Sequence, residues 1–396
     1  MENDPPSLSG PSLSQPPPLS QSPPPPPPSP PQFPQYFPPS RPAPPRRGGG
    51  WKIVALVLFL LLGLSLFFNL GSLTSSLTGG HAGRHYGPQL EETVLEEVAH
   101  TRDKIAVISV HGIIAGQGFD GSGYGMVDVI GEQLRRAEED RDVKAVILRV
   151  DSPGGEVLAS DDIYKLIADF QSDSGKPVIA SMGGLAASGG YYVAAPCRWI
   201  VANELTITGS IGVIMHGYNF RGLLDKIGVR PEIFKSGKHK DMLSPDKREE
   251  DISAEEKEMI QALINETYDK FKGIVLEGRT NAHALNKGEK KKENQGRELA
   301  KNWQQYADGR ILSGKGALEL GLVDELGDFG AAVERTLFIA GLKGATLVEY
   351  QPVPNLLNML RLFGESEAKG VKIDLGADLP KIKAGRLYFL SPTYLR

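Results

Sequence analysis

Apolar and polar residues alternate in two distinct ways along the middle of the chain. Short continuous apolar runs at 105–110, 143–150 and 177–181 predict strands, and the second run is apolar enough to be buried on both faces. Apolar residues recur every three or four positions over 127–139 and 163–170, which predicts helices. A strand–helix–strand–helix order at this spacing is typical of a parallel sheet with right-handed crossovers. We therefore expect an α/β domain.

The same patterns predict further elements downstream. Strands are expected at 199–202, 209–215 and 346–350, and helices at 253–278 and 330–340. Residues 316–324 are interpreted as a short helix followed by a turn. The clearest helix begins with a capping box of Ser253 and Glu256 and is expected to end at Gly278. The charged run 287–298 is interpreted as a solvated surface insertion, and no element is predicted after residue 354.

The most distinctive stretch, residues 182–192, is rich in glycine and follows the third predicted strand. It is interpreted as strand, glycine-rich turn and helix, with Ser188 near the helix N-terminus, where free backbone N–H groups favour a developing negative charge. A glycine-rich turn with an incidental capping serine fits this stretch equally well. A second turn, residues 151–155, follows the second strand, so both turns are expected at one edge of the sheet. Their meeting there favours a functional site.

The first hundred residues have a different composition. Residues 1–50 hold 20 of the 30 prolines, which predicts a disordered cytoplasmic tail. Residues 53–70 carry no charge and are just long enough as a helix to cross a bilayer core of ~30 Å. Basic residues precede this run and acidic residues follow it, which predicts a signal anchor over 51–71 with the rest of the chain outside the cell membrane. Residues 72–100 are interpreted as a tether.

Composition excludes several classes of function. A net charge of −4 gives no reason to expect a nucleic-acid partner. The single cysteine, Cys197, excludes an internal disulfide framework and a thiolate metal cluster. We expect one domain over 101–345 and a C-terminal extension over 346–396.

A serine nucleophile requires a base, and the sequence offers two kinds. His216, His239 and His283 follow Ser188 in the chain, and a Ser–His pair with His216 is possible. The alternative is a lysine within 235–240, where three lysines also fit a solvated basic loop. A lysine becomes a base only when burial lowers its pKa from ~10.4 to about 7–8. These patterns alone leave the choice of base open.

Three segments together, residues 183–192, 208–213 and 235–241, resemble the signal peptide peptidase A family, the membrane-anchored serine peptidases of the S49 type. Residues 151–155 and 309–324 match that family as well, and the resemblance covers about 104–340. Since the chain shows no internal repeat, the short, single-domain form of the family is the closer match. The resemblance implies a Clp peptidase/crotonase-like spiral of ββα units.

The resemblance also implies roles for particular residues. Ser188 corresponds to the nucleophile and Lys240 to the general base, while Ser210 corresponds to the serine that orients the lysine amine. The oxyanion would be bound by backbone N–H groups, those of Gly189 and of Gly154 or Gly155. His239 departs from the aromatic or apolar residue that is common beside the lysine, and the 287–298 insertion lies outside the family pattern.

The activity implied by the resemblance is peptide hydrolysis through an acyl-enzyme, without metal or cofactor. Its substrates would be remnant signal peptides after their release from preproteins. In short family members the lysine comes from the same chain near a subunit boundary, and the domain forms a ring-like homo-oligomer, an octamer. The alternatives are a Ser–His peptidase that uses His216, or a crotonase-like or scaffold protein of the same fold.

Overall fold

The computed structural model describes residues 52, 54–65, 87–116, 124–353 and 387–390, and the chain separates into two units, 1–83 and 84–396. In the first unit, residues 54–65 are helical with exposed side chains. They belong to the predicted anchor, and the remainder of that run lies outside the described residues, as does the proline-rich tail. Among the described residues, no helix is both long enough and apolar enough to cross a membrane.

The second unit is an α/β domain. Its described strands are β1 (Leu90–Glu96), β2 (Lys104–His111), β3 (Val143–Ser152), β4 (Gly154–Glu156), β5 (Val178–Ala187), β6 (Trp199–Ala202), β7 (Ile207–Gly209), β8 (Ile214–Met215), β9 (Ile311–Ser313), β10 (Glu325–Leu326), β11 (Thr346–Pro352) and β12 (Leu387–Leu390). Its described α-helices are α1 (Met126–Glu139), α2 (Val157–Ser174), α3 (Gly189–Ala194), α4 (Arg221–Lys226), α5 (Ala254–Asn286), α6 (Gly314–Glu319) and α7 (Phe329–Ala340).

The core of this domain is the predicted parallel sheet. Strands β11, β2, β3, β5, β6 and β10 pair in that order, each parallel to the next. Strand β1 pairs antiparallel with β11 at one edge. Because β1 lies in the predicted tether and β11 in the predicted C-terminal extension, the sheet reaches beyond both expected limits of the domain, residues 101 and 345.

The central strand β3 is buried on both faces, as its apolar run predicts. Val146 and Leu148 pack in a core that includes Ile130 of α1. Ala145 and Ile147 point the other way, into a second core covered by α7. Alternate residues of a strand face opposite sides of the sheet, so helices on both faces require a continuous apolar run.

The glycine-rich turn predicted after the third strand is wrong, because β5 continues through it to Ala187. The first half of β5 pairs with β6, whereas residues 185–187 pair with β7. The strand expected over 209–215 is interrupted: β7 ends at Gly209, and Ser210 has a φ of 50° that a strand cannot accommodate.

Helix α5 begins with the predicted capping box, in which Ser253 and Glu256 bond each other's backbone N–H groups. The predicted end at Gly278 is wrong, since the helix continues to Asn286. A Cβ at Gly278 would lie 2.3 Å from the carbonyl oxygen of Ala195. This glycine therefore allows a close contact between the helix and the segment after α3, and does not terminate the helix.

We predict that Gly278→Ala lowers the free energy of unfolding by about 2 kcal/mol, because the added methyl collides with backbone that cannot move aside. Gly273→Ala in the same helix is the matched control, as nothing lies within 4 Å of its Cβ position. There alanine should stabilise the helix by about 1 kcal/mol. Urea unfolding of both variants measures the difference, and equal effects would contradict this explanation.

Candidate active site

Ser188 stands between the end of β5 and the start of α3, in a strained conformation. Its φ is 55° and its ψ is −117°, which a residue with a side chain rarely adopts. Its backbone N–H donates to the carbonyl of Gly209 at 2.8 Å, and its carbonyl accepts from the N–H of Tyr192 at 2.9 Å. Ser188 is buried, and its hydroxyl has no hydrogen-bond partner among the described residues. The fold thus holds the reactive hydroxyl of Ser188 in place without giving it a hydrogen bond from the described residues.

The backbone of α3 packs directly on the Pro-Gly-Gly segment. A Cβ at Gly189 would lie 3.0 Å from the Cα of Gly154, and a Cβ at Gly190 would lie 2.7 Å from the carbonyl oxygen of Ser152. Only glycine permits so close an approach at both positions. The two predicted oxyanion segments are therefore adjacent to each other and to Ser188.

The hydrogen bonds of the Pro-Gly-Gly segment separate its two glycines. The N–H of Gly154 donates to the hydroxyl of Ser152 at 3.1 Å. Ile114 donates to the carbonyl of Gly154 and accepts from the N–H of Glu156. In such a bridge the intervening residue turns its own N–H and C=O to the opposite side. Gly155 therefore presents its N–H away from Ile114, and the geometry favours it over Gly154 as the oxyanion donor.

Ser210 is also buried, close to Ser188. It follows Gly209, whose carbonyl accepts from Ser188, and its own N–H donates to the carbonyl of Arg310 at 2.8 Å. The structure thus brings together Ser188, Ser210 and the three glycines of the predicted oxyanion site. Among the described residues, no group of three or more His, Cys, Asp or Glu side chains could hold a metal ion.

Lys240 is exposed on a turn. Its two neighbours contact other side chains: Asp241 accepts a hydrogen bond from Lys235 at 2.8 Å, and Nε2 of His239 lies 3.5 Å from a carboxylate oxygen of Glu255. The hydrogen bond from Lys235 lowers the pKa of Asp241 below its ordinary value. Because the hydroxyl of Ser188 has no partner among the described residues, the predicted Ser188–Lys240 hydrogen bond is not formed within this single chain.

The alternative base, His216, does not bond the serine either. Its Nε2 atom is buried without a hydrogen-bond partner among the described residues, and its ring lies 4.9 Å from that of Tyr218. Neither candidate base therefore forms a hydrogen bond with the hydroxyl of Ser188 in the isolated chain.

Residues 216–247, which we call the arm, carry both candidate bases and an unusual amount of exposed apolar surface. Phe234 is 94% exposed. The other exposed apolar residues of the arm are Tyr218, Phe220, Leu223, Ile227, Val229, Ile233 and Leu243. An apolar surface of this kind is typical of a region that packs against another molecule.

An aromatic cluster that sequence reasoning missed lies beneath the site. Tyr192 of α3, Phe271 of α5 and Phe389 of β12 are in mutual contact, with ring centroids 4.7–4.9 Å apart. The hydroxyl of Tyr192 donates to Asp161 at 2.7 Å. Burial raises the pKa of Asp161, but hydrogen bonds from Lys165, Lys270 and Tyr192 outweigh this and lower it overall. The only sequence signal for Phe389 was the short apolar run 387–390.

Comparisons with known proteins point to peptidases. Residues 170–302 match the profile of Peptidase family S49. A candidate signal peptide peptidase SppA of Enterococcus faecium is 37% identical over 282 residues, which are 70% of this chain and 75% of that protein. Protease 4 of Salmonella typhi is 35% identical over 267 residues, 67% of this chain and 39% of that protein. The solved structure of a ClpP1 mutant from Listeria monocytogenes is 14% identical. The match covers 57% of this chain and 93% of that one, with a TM-score of 0.34.

We predict that Ser188→Gly is more stable than Ser188→Ala by about 1 kcal/mol, because glycine adopts the positive φ without strain. Ser172, exposed in the last turn of α2, is the matched control. There glycine should be less stable than alanine, by up to about 1 kcal/mol. Thermal unfolding of the four variants gives the comparison, and the same sign at both positions would show that Ser188 is unstrained.

Proposed function

The chain belongs to peptidase family S49 and is a serine peptidase; on that premise we propose that it is a membrane-anchored endopeptidase with a Ser188–Lys240 dyad that degrades remnant signal peptides. The observation that carries the proposal is the strained, unengaged Ser188 beside Gly155 and Gly189. The names of the relatives, signal peptide peptidase SppA and protease 4, support the substrate class.

In the proposed reaction, the hydroxyl oxygen of Ser188 attacks the carbonyl carbon of a peptide bond. Lys240 accepts the hydroxyl proton and passes it to the departing amine, which leaves an acyl-enzyme. The N–H groups of Gly155 and Gly189 stabilise the negative oxygen of the intermediate, each by ~3 kcal/mol. A water molecule, deprotonated by Lys240, then releases the acyl group as a free acid and restores Ser188.

We propose that Lys240 reaches Ser188 only in a homo-oligomer, a ring of eight copies. The exposed apolar surface of the arm supports this, because packing it against a neighbouring copy would remove Phe234 and its companions from water. Burial at that boundary would also favour the neutral, basic form of the lysine.

A Ser–His peptidase that uses His216 is the second candidate. The observation in its favour is the buried Nε2 atom of His216, which has no hydrogen-bond partner among the described residues. A crotonase-like or scaffold function has no comparable support once the chain is a member of a peptidase family.

The first prediction of the proposed function distinguishes Lys240 from His216 as the base. Ser188→Ala and Lys240→Ala should each lower kcat for a peptide substrate by at least about 1,000-fold, because neither partner acts alone. His216→Ala should retain most of the activity, and Ser210→Ala should lose about tenfold, because it leaves the lysine amine poorly held. Circular dichroism checks that each variant is folded.

The pH dependence of turnover gives a further check on the proposed Ser188–Lys240 pair. Since lysine is a base only without its proton, turnover should rise with pH. Activity that survives in Lys240→Ala but not in His216→Ala would establish the Ser–His alternative.

The second prediction concerns assembly. Light scattering of the detergent-purified chain should give the mass of an oligomer, and Phe234→Ser should shift the population towards smaller species. Leu285→Ser is the control, because that leucine is also exposed but lies on α5, away from the arm. A monomeric mass for the unmodified chain at micromolar concentrations would refute the proposed oligomer.

The third prediction concerns topology. We propose that residues 53–70 anchor the chain with the catalytic domain on the extracytoplasmic side, supported by the uncharged run and the basic residues before it. Protease added to intact spheroplasts should therefore digest the domain. Digestion only after lysis would place the domain inside the cell.

A further inference from the structure

The arm buries charged side chains while it exposes apolar ones. Phe234 is 94% exposed, whereas the side chains of Asp241 and Lys247 are only 11% and 10% exposed. Their contact on the rest of the domain is Glu256, a buried residue in the first turn of α5. Charged residues are rarely buried unless they are paired, because an isolated charge loses its hydration without compensation. The arm therefore meets α5 through a specific set of charge contacts.

Four residues form this contact, which we call the arm cluster: His239, Asp241, Lys247 and Glu256. Nζ of Lys247 donates to Oε1 of Glu256 at 2.7 Å and lies 3.5 Å from Oδ1 of Asp241. The other carboxylate oxygen of Glu256 accepts from the backbone N–H of Ser253 at 3.0 Å. One carboxylate thus caps α5 and binds the arm at the same time.

Lys240 lies between two members of the arm cluster in the sequence. Nδ1 of His239 lies 4.0 Å from Oε1 of Glu256, and Oδ1 of Asp241 lies 3.5 Å from Nζ of Lys247. Both neighbours of the lysine are therefore directed towards α5, while Lys240 itself is exposed. The cluster thus fixes the backbone that carries Lys240 and leaves its side chain outside.

The central pair of the cluster determines geometry more than stability. The hydrogen bond from Lys247 lowers the pKa of Glu256 below its ordinary value, and the same bond raises the pKa of Lys247. Both side chains therefore carry their charges at neutral pH. A buried ion pair adds little net stability compared with a well-packed apolar pair, because both charges must be removed from water. What the pair provides is one defined arrangement of the arm on α5.

We propose that Glu256 is a positioning residue for the general base. Through Lys247 and the neighbours of Lys240, it holds the turn that carries the base at a fixed place beside the start of α5. The inference rests on the proposed function, in which Lys240 accepts the proton of the nucleophile. A base must lie within hydrogen-bond reach of the proton that it accepts, so a displacement of ~1 Å costs about 100-fold in rate.

The main test is Glu256→Gln in the full chain. Glutamine still accepts from the N–H of Ser253, so the capping box is kept, but it no longer pairs its charge with Lys247. We expect kcat for a peptide substrate to fall at least about tenfold with KM nearly unchanged, because only the base is misplaced. An unchanged kcat would overturn the inference.

Glu132→Gln is the matched control for this variant. Glu132 is a carboxylate of α1 that bonds two arginines of its own helix, and its side chain is 10% exposed. It lies outside the arm and the site, so its loss should lower thermal stability without lowering kcat. An equal fall of kcat in Glu132→Gln and Glu256→Gln would assign Glu256 a merely structural role.

Variants of Lys247 test whether the ion pair carries the effect. Lys247→Arg keeps the positive charge and should retain most of kcat, whereas Lys247→Met should lose as much as Glu256→Gln. The double variant Glu256→Gln with Lys247→Met removes both charges of the pair, so it avoids leaving either one buried alone. It should lose no more kcat than either single variant, because both act through one contact. Additive losses would contradict this.

Hydrogen exchange measures the turn without reference to activity. The N–H of Lys240 donates to the carbonyl of Gly237 at 3.2 Å, and the N–H of Met242 donates to the carbonyl of His239 at 3.0 Å. These two amides should exchange at least about fivefold faster in Glu256→Gln than in the unmodified chain, because the turn opens more often. Exchange that does not change would reject the contact as the cause of any loss of kcat.

Lys240→Ala separates this inference from the proposed dyad. Activity that survives in Lys240→Ala would reject the dyad, whatever Glu256→Gln does. Activity lost in Lys240→Ala but fully kept in Glu256→Gln would retain the dyad and reject only the positioning role of Glu256. Loss in both variants, with faster exchange in Glu256→Gln, is the result that we expect.

Discussion

The site depends on one contact between two backbones, that of α3 against the Pro-Gly-Gly segment. Gly189 lies against Gly154 and Gly190 lies against Ser152, at separations that leave no room for a Cβ. This contact fixes the start of α3 and so imposes the strained φ of Ser188. It also places the backbone nitrogen of Gly155 3.0 Å from the Cβ position of Gly189. The proposed nucleophile and the proposed oxyanion donors are therefore positioned by the same packing.

The proposed general base is held in the opposite way. Ser188 is buried, whereas Lys240 is exposed on an arm whose apolar residues face water. The contacts of His239 with Glu255 and of Asp241 with Lys235 hold the turn, but the lysine between them has no hydrogen bond to the serine. On the proposed mechanism, the isolated chain positions the nucleophile but does not complete the dyad. Activity would then depend on assembly, since only burial of the arm completes the pair.

Sequence patterns predicted the strands and helices that local periodicity determines. They failed where contacts between residues distant in the chain determine the structure. The parallel strands and their crossover helices followed from apolar spacing, and the meeting of Ser188 with the second glycine turn followed from parallel topology. Gly278 was interpreted as a helix end. The reason for a glycine at this position is its close contact with the carbonyl of Ala195, a residue distant in sequence. Strand β12 could not be predicted because its partners lie far earlier in the chain. The family resemblance indicated Lys240 as the base, but no sequence pattern indicated that this lysine would be exposed on the arm.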